Sequence, residues 1–177
     1  MHRLFVAIRP PEPVRDLLID AMDDGPDFRW QDDEQLHLTL RFVGEVERPV
    51  ANDLADALGQ VRAPPMELRI AGAGRFEQRS SGALWAGVEP KTPLAALTAK
   101  IERACVGVGL EPERRAFHPH ITLARWKGRR TREVAAFLDR TRGLSSPPFE
   151  IGEFILFESR LSRHGAHYEE VASYPLG

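Results

Sequence analysis

The sequence is poor in cysteine, in lysine and in long apolar runs. Its only cysteine is Cys105, which excludes an intramolecular disulfide and a zinc site of four cysteines within one chain. No stretch approaches the roughly 18 uninterrupted apolar residues that a membrane span requires. The apolar run that follows Met1 is also too short for a signal peptide. We therefore expect a cytoplasmic protein without disulfides and without membrane contact.

Net charge is also close to zero, with 24 Lys and Arg against 26 Asp and Glu. This balance excludes a chain that holds nucleic acid by bulk electrostatics, although local basic clusters remain possible. Arginine carries almost all of the positive charge, and arginine prefers planar, bidentate contacts with phosphate. A genome rich in G and C would produce the same bias, so the composition alone does not favour a phosphate ligand.

What is present is the composition of a folded protein of 177 residues, of which 42% are hydrophobic. Apolar periodicity predicts helices that begin near Pro11, Pro49, Pro93 and Thr131. Strands are expected at 4–8, 35–43, 66–71, 83–88, 118–125, 149–157 and 166–173. Several strands follow one another directly, which favours an α+β fold with antiparallel sheets over a doubly wound parallel sheet.

A short internal repeat stands out in this pattern. The segments His37-Leu38-Thr39-Leu40 and His120-Ile121-Thr122-Leu123 share one pattern and lie nearly half the chain apart. Each copy falls on an expected strand with helices before and after it. The repeat suggests two similar halves that each contribute one strand to a common site.

Strand alternation separates each copy into two faces, because side chains two positions apart point the same way. In the first copy one face carries Leu36, Leu38, Leu40 and Phe42, and the other carries His37, Thr39 and Arg41. In the second copy Ile121 and Leu123 share a face, opposite His118, His120 and Thr122. Each copy therefore buries aliphatic side chains and presents one histidine with one threonine. Halves related by a pseudo-two-fold axis would bring these faces together across a groove.

Two imidazoles and two hydroxyls suit the chemistry of a phosphodiester. A neutral imidazole accepts a proton near pH 7 and an imidazolium donates one. Threonine hydroxyls donate hydrogen bonds to nonbridging phosphate oxygens without adding charge. The pattern predicts a metal-free site with His37 and His120 as acid and base. A zinc site of three histidines, formed with His118, is the alternative, but zinc would not explain the paired threonines.

These residues resemble the 2H phosphoesterase superfamily, which is defined by two His-x-[Thr/Ser]-x motifs. Within it, the chain is similar to the RNA 2′,3′-cyclic phosphodiesterase branch, also called bacterial 2′-5′ RNA ligase-like proteins. The similarity runs over nearly the whole chain and is most specific at 117–125. It extends to the strands at 4–8 and 84–88, to Trp30, and to a C-terminal pattern with Ser159, Gly165 and Tyr168.

The resemblance implies a bilobed α+β fold, in which two antiparallel sheets line a central cleft with helices outside. Residues 1–177 would form a single domain of two similar lobes. The implied activity is hydrolysis of the 2′,3′-cyclic phosphate end of RNA to a 2′-phosphate, without metal or cofactor. Reverse joining in vitro would be a property of the same site. The expected partner is such an RNA end, and a monomer is expected.

The resemblance also implies a role for each site residue. His37 would protonate the departing 3′ oxygen and His120 would activate water. The residues that it implies for substrate binding are Thr39, Thr122, Arg125 and Phe42. By alternation from His120, however, Arg125 falls on the buried face. It can reach the cleft only if the strand ends or bulges near Ala124, and the alternative for Arg125 is a salt bridge at the rim.

Other features leave alternatives open. Seven basic residues between Arg114 and Arg132 are not interrupted by an acidic residue, and they suit either the RNA backbone or a solvated loop. Of the three tryptophans, Trp30, Trp85 and Trp126, one could stack a base, while at least two are expected in the core. Two other functions compete with hydrolysis of RNA ends. One is a related activity on a small cyclic nucleotide, and the other is binding of a nucleotide or RNA without turnover.

Overall fold

The computed structural model describes residues 1–23 and 25–177. This part of the chain contains nine strands and four α-helices, which confirms the expected α+β class. The strands are β1 (His2–Ile8), β2 (Arg29–Trp30), β3 (Leu38–Val46), β4 (Met66–Gln78), β5 (Ser81–Glu89), β6 (His120–Lys127), β7 (Phe149–Ile151), β8 (Glu153–Ser162) and β9 (Gly165–Pro175). The helices are α1 (Glu12–Asp20), α2 (Arg48–Leu58), α3 (Lys91–Gly107) and α4 (Thr131–Arg140).

All strand pairs are antiparallel, in the order β7-β4-β5-β6-β3-β1-β8-β9, and β2 pairs beside β6. The two halves meet at β3 and β6, whose register in the described residues is the single pair Leu38 with Ile121. These are the second residues of the two motif copies. The two expected sheets are therefore joined into one, and the motifs flank the junction in a pseudo-two-fold arrangement.

One apolar core extends through both halves. It contains Leu54 and Leu58 of α2, Leu97 of α3 and Phe137 of α4, together with Leu38 and other inward residues of the strands. Proline near the first turn of α1 and α2 suits helix starts, since a first-turn N–H has no helical partner. A smaller cluster, with Phe5 and Phe157 at its centre, packs on the other face of the sheet.

Within the described residues, none of the helices combines the length and the apolar character that crossing a membrane would demand.

Candidate active site

The two motif histidines lie at the start of the two central strands of the sheet. His37 immediately precedes β3, and His120 is the first residue of β6. A cavity of about 990 Å³ lies beside these strands, and its lining includes Thr39, Phe42, Phe76, His118, His120 and Arg125 together with Thr98 and Glu102 of α3. Its volume is at the upper end of the range of small-molecule sites. The structure thus brings the two halves of the sequence repeat to one cleft.

Both imidazoles are held in the same way by backbone carbonyls. Nδ1 of His37 donates to the carbonyl of Gln35 at 2.7 Å, and Nδ1 of His120 donates to the carbonyl of His118 at 2.6 Å. A carbonyl only accepts, so the proton of each neutral ring is on Nδ1. Nε2 of each histidine is then the basic nitrogen. At His37 this nitrogen accepts a hydrogen bond from the Thr39 hydroxyl at 2.9 Å.

Aromatic side chains fix the planes of both rings. Phe5 and Tyr168 pack on His37, with ring centroids 4.8 Å and 5.3 Å away. Phe76 packs edge-on against His120 at 4.8 Å. No local sequence pattern indicates a site role for these three residues. Tyr168 belongs to the C-terminal pattern of the family resemblance, and its place beside His37 depends on the pairing of β8 with β9.

Burial lowers the pKa of both motif histidines. Desolvation is the main cause at His37, where the pKa falls from 6.5 to about 4, and the charges of His120, Arg125 and Arg9 act in the same direction. The carbonyl of Gln35 opposes this shift. Desolvation also lowers the pKa of His120, with the His118 imidazole and Arg125 contributing. Both rings are therefore neutral at pH 7 when the cleft holds no anion.

A β-bulge follows the threonine in each copy of the motif. On β3, Thr39 pairs with Ala7 and Arg41 pairs with Val6, so Leu40 is the extra residue. On β6, Thr122 pairs with Trp85 and Ala124 pairs with Leu84, which leaves Leu123 as the extra residue. Both leucines are buried. A bulge reverses the alternation beyond it, so the two strands change faces at equivalent positions.

The first bulge corrects two expectations from simple alternation. Arg41 was placed beside His37 and Thr39, but it is buried and its guanidinium binds Glu102 of α3 at 2.8 Å. Phe42 was placed on the buried face, but it is 40% exposed and lines the cleft. The cleft position of Phe42 agrees with the role that the family resemblance implies for it.

The second bulge meets the condition stated for Arg125. The side chain is exposed, lines the cleft, and lies close enough to both motif histidines to lower the pKa of each. No carboxylate of the described residues pairs with it, so the alternative of a rim salt bridge is wrong for the part of the chain that the structure describes. Phe42 and Arg125 are the fifth residues after the two histidines, and both reach the cleft by the same device.

The structure places His118 and the three tryptophans in different surroundings. His118 lies before β6, and its ring centroid is 5.9 Å from that of His120. Among residues 1–23 and 25–177, however, no group of three or more His, Cys, Asp or Glu side chains could hold a metal ion. The geometry therefore does not support the zinc alternative. Trp126 is in the core, and Trp30 packs on Phe137. Trp85 instead lies against His118, at 4.7 Å between ring centroids.

The basic stretch does not form one surface. Arg115 and Arg125 line the cleft, but Arg115 pairs with Glu113, and Arg130 pairs with Asp27 away from the cleft. Only part of the stretch is thus placed to meet a ligand there.

The model of the 2′-5′ RNA ligase superfamily matches residues 10–163, which make up most of the chain. The chain belongs to this superfamily. A relative from Aeropyrum pernix, named RNA 2′,3′-cyclic phosphodiesterase, is 33% identical over 148 residues, which cover 82% of this chain and 84% of the relative. A protein of the same name from Geobacillus stearothermophilus is 32% identical over 89% of this chain, and this match spans 50% of the Geobacillus protein.

Solved structures of the superfamily share the whole fold. The crystal structure of Escherichia coli LigT in its apo form has a TM-score of 0.80 and 27% identity, and the match covers 99% of this chain and 97% of LigT. LigT has also been crystallised with 3′-AMP, and that structure matches with the same TM-score and identity. The arrangement of strands and helices described above is thus that of the superfamily.

Proposed function

We propose that this superfamily member hydrolyses 2′,3′-cyclic phosphate ends of RNA to 2′-phosphates, with His37 and His120 as acid and base. The observation that carries the proposal is the matched pair of imidazoles, each with Nδ1 on a backbone carbonyl and Nε2 left for chemistry. The name RNA 2′,3′-cyclic phosphodiesterase, borne by several relatives that match most of their own length, supports the choice of substrate.

In the proposed reaction, His120 Nε2 takes a proton from water as the water oxygen bonds to phosphorus. The bond from phosphorus to the 3′ oxygen breaks, and protonated His37 gives its Nε2 proton to that oxygen. The phosphate remains on the 2′ oxygen, and the proton removed from water remains on His120. Positioned acids and bases of this kind contribute about 10²- to 10⁴-fold each.

Thr39 couples the proton on His37 to phosphate binding. In the neutral state its hydroxyl donates to Nε2 of His37. Protonation turns Nε2 from an acceptor into a donor, and this releases the Thr39 hydroxyl proton for a nonbridging phosphate oxygen. Thr122 occupies the equivalent position beside His120. We assign Arg125 and Phe42, which flank the histidines in the cleft, to the phosphate and the ribose.

The deciding experiment follows an oligonucleotide with a 2′,3′-cyclic phosphate end by phosphorus NMR in the presence of EDTA. We expect turnover to a 2′-phosphate. His37→Gln and His120→Gln should each lower kcat by at least about 10², and the double variant should lose much less than the product of the two effects.

Three results would count against parts of this proposal. Activity that is lost in EDTA and restored by Zn²⁺ would contradict the metal-free mechanism. Accumulation of the 3′-phosphate would exchange the roles of His37 and His120. Faster turnover of mononucleotides than of oligonucleotides would favour a small cyclic nucleotide as substrate.

A further inference from the structure

Arg29 lies beside Arg125 on the cleft face of the sheet. The pairing of β2 with β6 sets Arg29 directly opposite Arg125, and side chains of such a cross-strand pair project from the same face about 5 Å apart. The next pair, Trp30 with Ala124, has the opposite orientation, since Ala124 is buried and Trp30 packs on Phe137 of α4. The two arginines therefore project away from the helices.

Two guanidinium groups side by side repel each other unless an anion lies between them. The nearby carboxylates have other partners. Asp27 pairs with Arg130, Asp33 pairs with Arg9 and Arg15, and the Asp32 side chain accepts from the backbone N–H of Gln35. Within the described residues, neither Arg29 nor Arg125 has an acidic partner. Both are exposed and both can bind an external anion.

The fold makes room for the Arg29 side chain. Gly165 at the start of β9 has a φ of 106°, and a Cβ there would lie 2.7 Å from Nη2 of Arg29. The guanidinium thus rests against bare backbone at the turn between β8 and β9. Glycine is required here both for the backbone conformation and for the space. This contact places the Arg29 head group against the first residue of β9.

The position of Arg29 indicates which phosphate it meets. Arg125 lies three residues beyond Thr122 along β6, roughly 7–10 Å from it, and Arg29 is one strand further out. This distance is comparable to the spacing of successive phosphates along a nucleic acid. An RNA that ends in a 2′,3′-cyclic phosphate continues only on its 5′ side. Any phosphate other than the reacting one is therefore the phosphodiester that precedes the terminal nucleotide.

We propose that Arg29 binds the phosphodiester on the 5′ side of the terminal nucleotide, beside Arg125 at the reacting phosphate, so that the site prefers an RNA end to an isolated cyclic nucleotide. This inference rests on the proposed function for the identity of the substrate. It adds a substrate-binding residue and a preference for at least two nucleotides. Bidentate contacts with phosphate oxygens are the preferred chemistry of arginine.

The test measures binding, so it does not depend on turnover. The probes are the diadenosine product with a terminal 2′-phosphate, the same compound with a neutral methylphosphonate linkage, and adenosine 2′-phosphate. Isothermal titration calorimetry of the whole chain should show that Arg29→Ala weakens binding of the charged dinucleotide about 10- to 100-fold, the usual effect of a charge-assisted hydrogen bond. Binding of the other two probes should change less than twofold.

Two further variants complete the design. Arg29→Lys keeps the charge but loses the planar fork, and it should show an intermediate loss on the charged dinucleotide. Arg132→Ala removes an exposed arginine of α4 from the basic stretch between Arg114 and Arg132 and should change nothing. Equal weakening of all three probes would overturn the inference by placing Arg29 on the terminal phosphate. Unchanged binding of the charged dinucleotide would also overturn it, while hydrolysis assays decide the proposed function separately.

Discussion

His37 is neutral at pH 7 in the free protein because its burial lowers its pKa to about 4. The acid that we propose must therefore gain its proton when the substrate arrives. A phosphate anion beside Nε2 favours the charged imidazole and raises its pKa. Binding should then be accompanied by proton uptake, since the complex holds a proton that the free protein lacks.

We expect net proton uptake when adenosine 2′-phosphate binds at pH 7, where a phosphate monoester is already mostly dianionic, measured by calorimetry in buffers with different ionisation enthalpies. His37→Gln should remove most of this uptake, whereas the exposed His164→Gln should leave it unchanged. Binding without uptake in the wild-type protein would show that His37 stays neutral and cannot be the acid.

The pH profile of kcat/KM should be bell-shaped, with two apparent pKa values that belong to the pair of histidines and not to either one alone.

At this scale the sequence predicted the proposed reacting groups but not their surroundings. Residue type and strand alternation selected His37, Thr39, His120 and Thr122, of which Thr39 and His120 line the cleft. The aromatic side chains around the imidazoles come from strands far away in the sequence. Phe76 reaches His120 only through the order of β4, β5 and β6, and no local pattern specifies that order.

At the scale of the elements, Arg41 connects β3 to the loop that positions His120. Its guanidinium binds both carboxylate oxygens of Glu102 at 2.8 and 3.1 Å and the carbonyl of Glu111 at 2.6 Å. Glu102 in turn accepts from the backbone N–H of Glu113 at 3.2 Å. The chain from Glu111 leads to His118, whose carbonyl orients the His120 ring.

Arg41→Ala should lower the free energy of unfolding by about 1–3 kcal/mol, because it leaves the partly buried Glu102 without its charged partner. It should also lower kcat more than it raises KM, since the His120 ring loses its fixed orientation. Chemical denaturation and steady-state kinetics measure the two effects. Arg142→Ala is the matched control, because its pair with Asp139 is exposed and should contribute less than about 1 kcal/mol.

If Arg41→Ala destabilised the protein while leaving kcat intact, the loop would be held by other contacts.

Simple alternation along β3 places Arg41 and Phe42 on the wrong faces, and the reason is physical. Nothing in the run from His37 to Phe42 distinguishes a regular strand from one with an extra residue at Leu40. A bulge is specified by the register with the neighbouring strand, here Val6 and Ala7 of β1, and pairing register is not a local property.

The same distinction explains which elements were well placed. The helices follow from their own apolar spacing, so the expected starts near Pro49 and Pro93 lie within two residues of α2 and α3. The strand expected at 66–71 continues to Gln78 as β4. Its second part contains Gly72 and Gly74 and is exposed, so it has no alternation of its own. It is a strand because β5 pairs with it.

For the whole molecule, the open structural question is whether the two halves are one cooperative unit. Their sheets meet through the pair Leu38 and Ile121, a narrow junction by itself. Behind it, however, one apolar core includes residues of both halves and of α2, α3 and α4. A continuous core predicts a single transition, because neither half can expose its side of the core without the other.

The distribution of tryptophan makes this prediction measurable. Trp30, Trp85 and Trp126 all lie on β2, β5 and β6, so tryptophan fluorescence reports on one half, whereas far-UV circular dichroism reports on both. The two signals should give the same midpoint in urea. Ile121→Ala should lower both midpoints together, at a cost of about 2–5 kcal/mol for a buried isoleucine. Separate midpoints in the wild-type protein would show two domains that unfold independently, and the cleft between them would then be a domain interface instead of a groove in one folded unit.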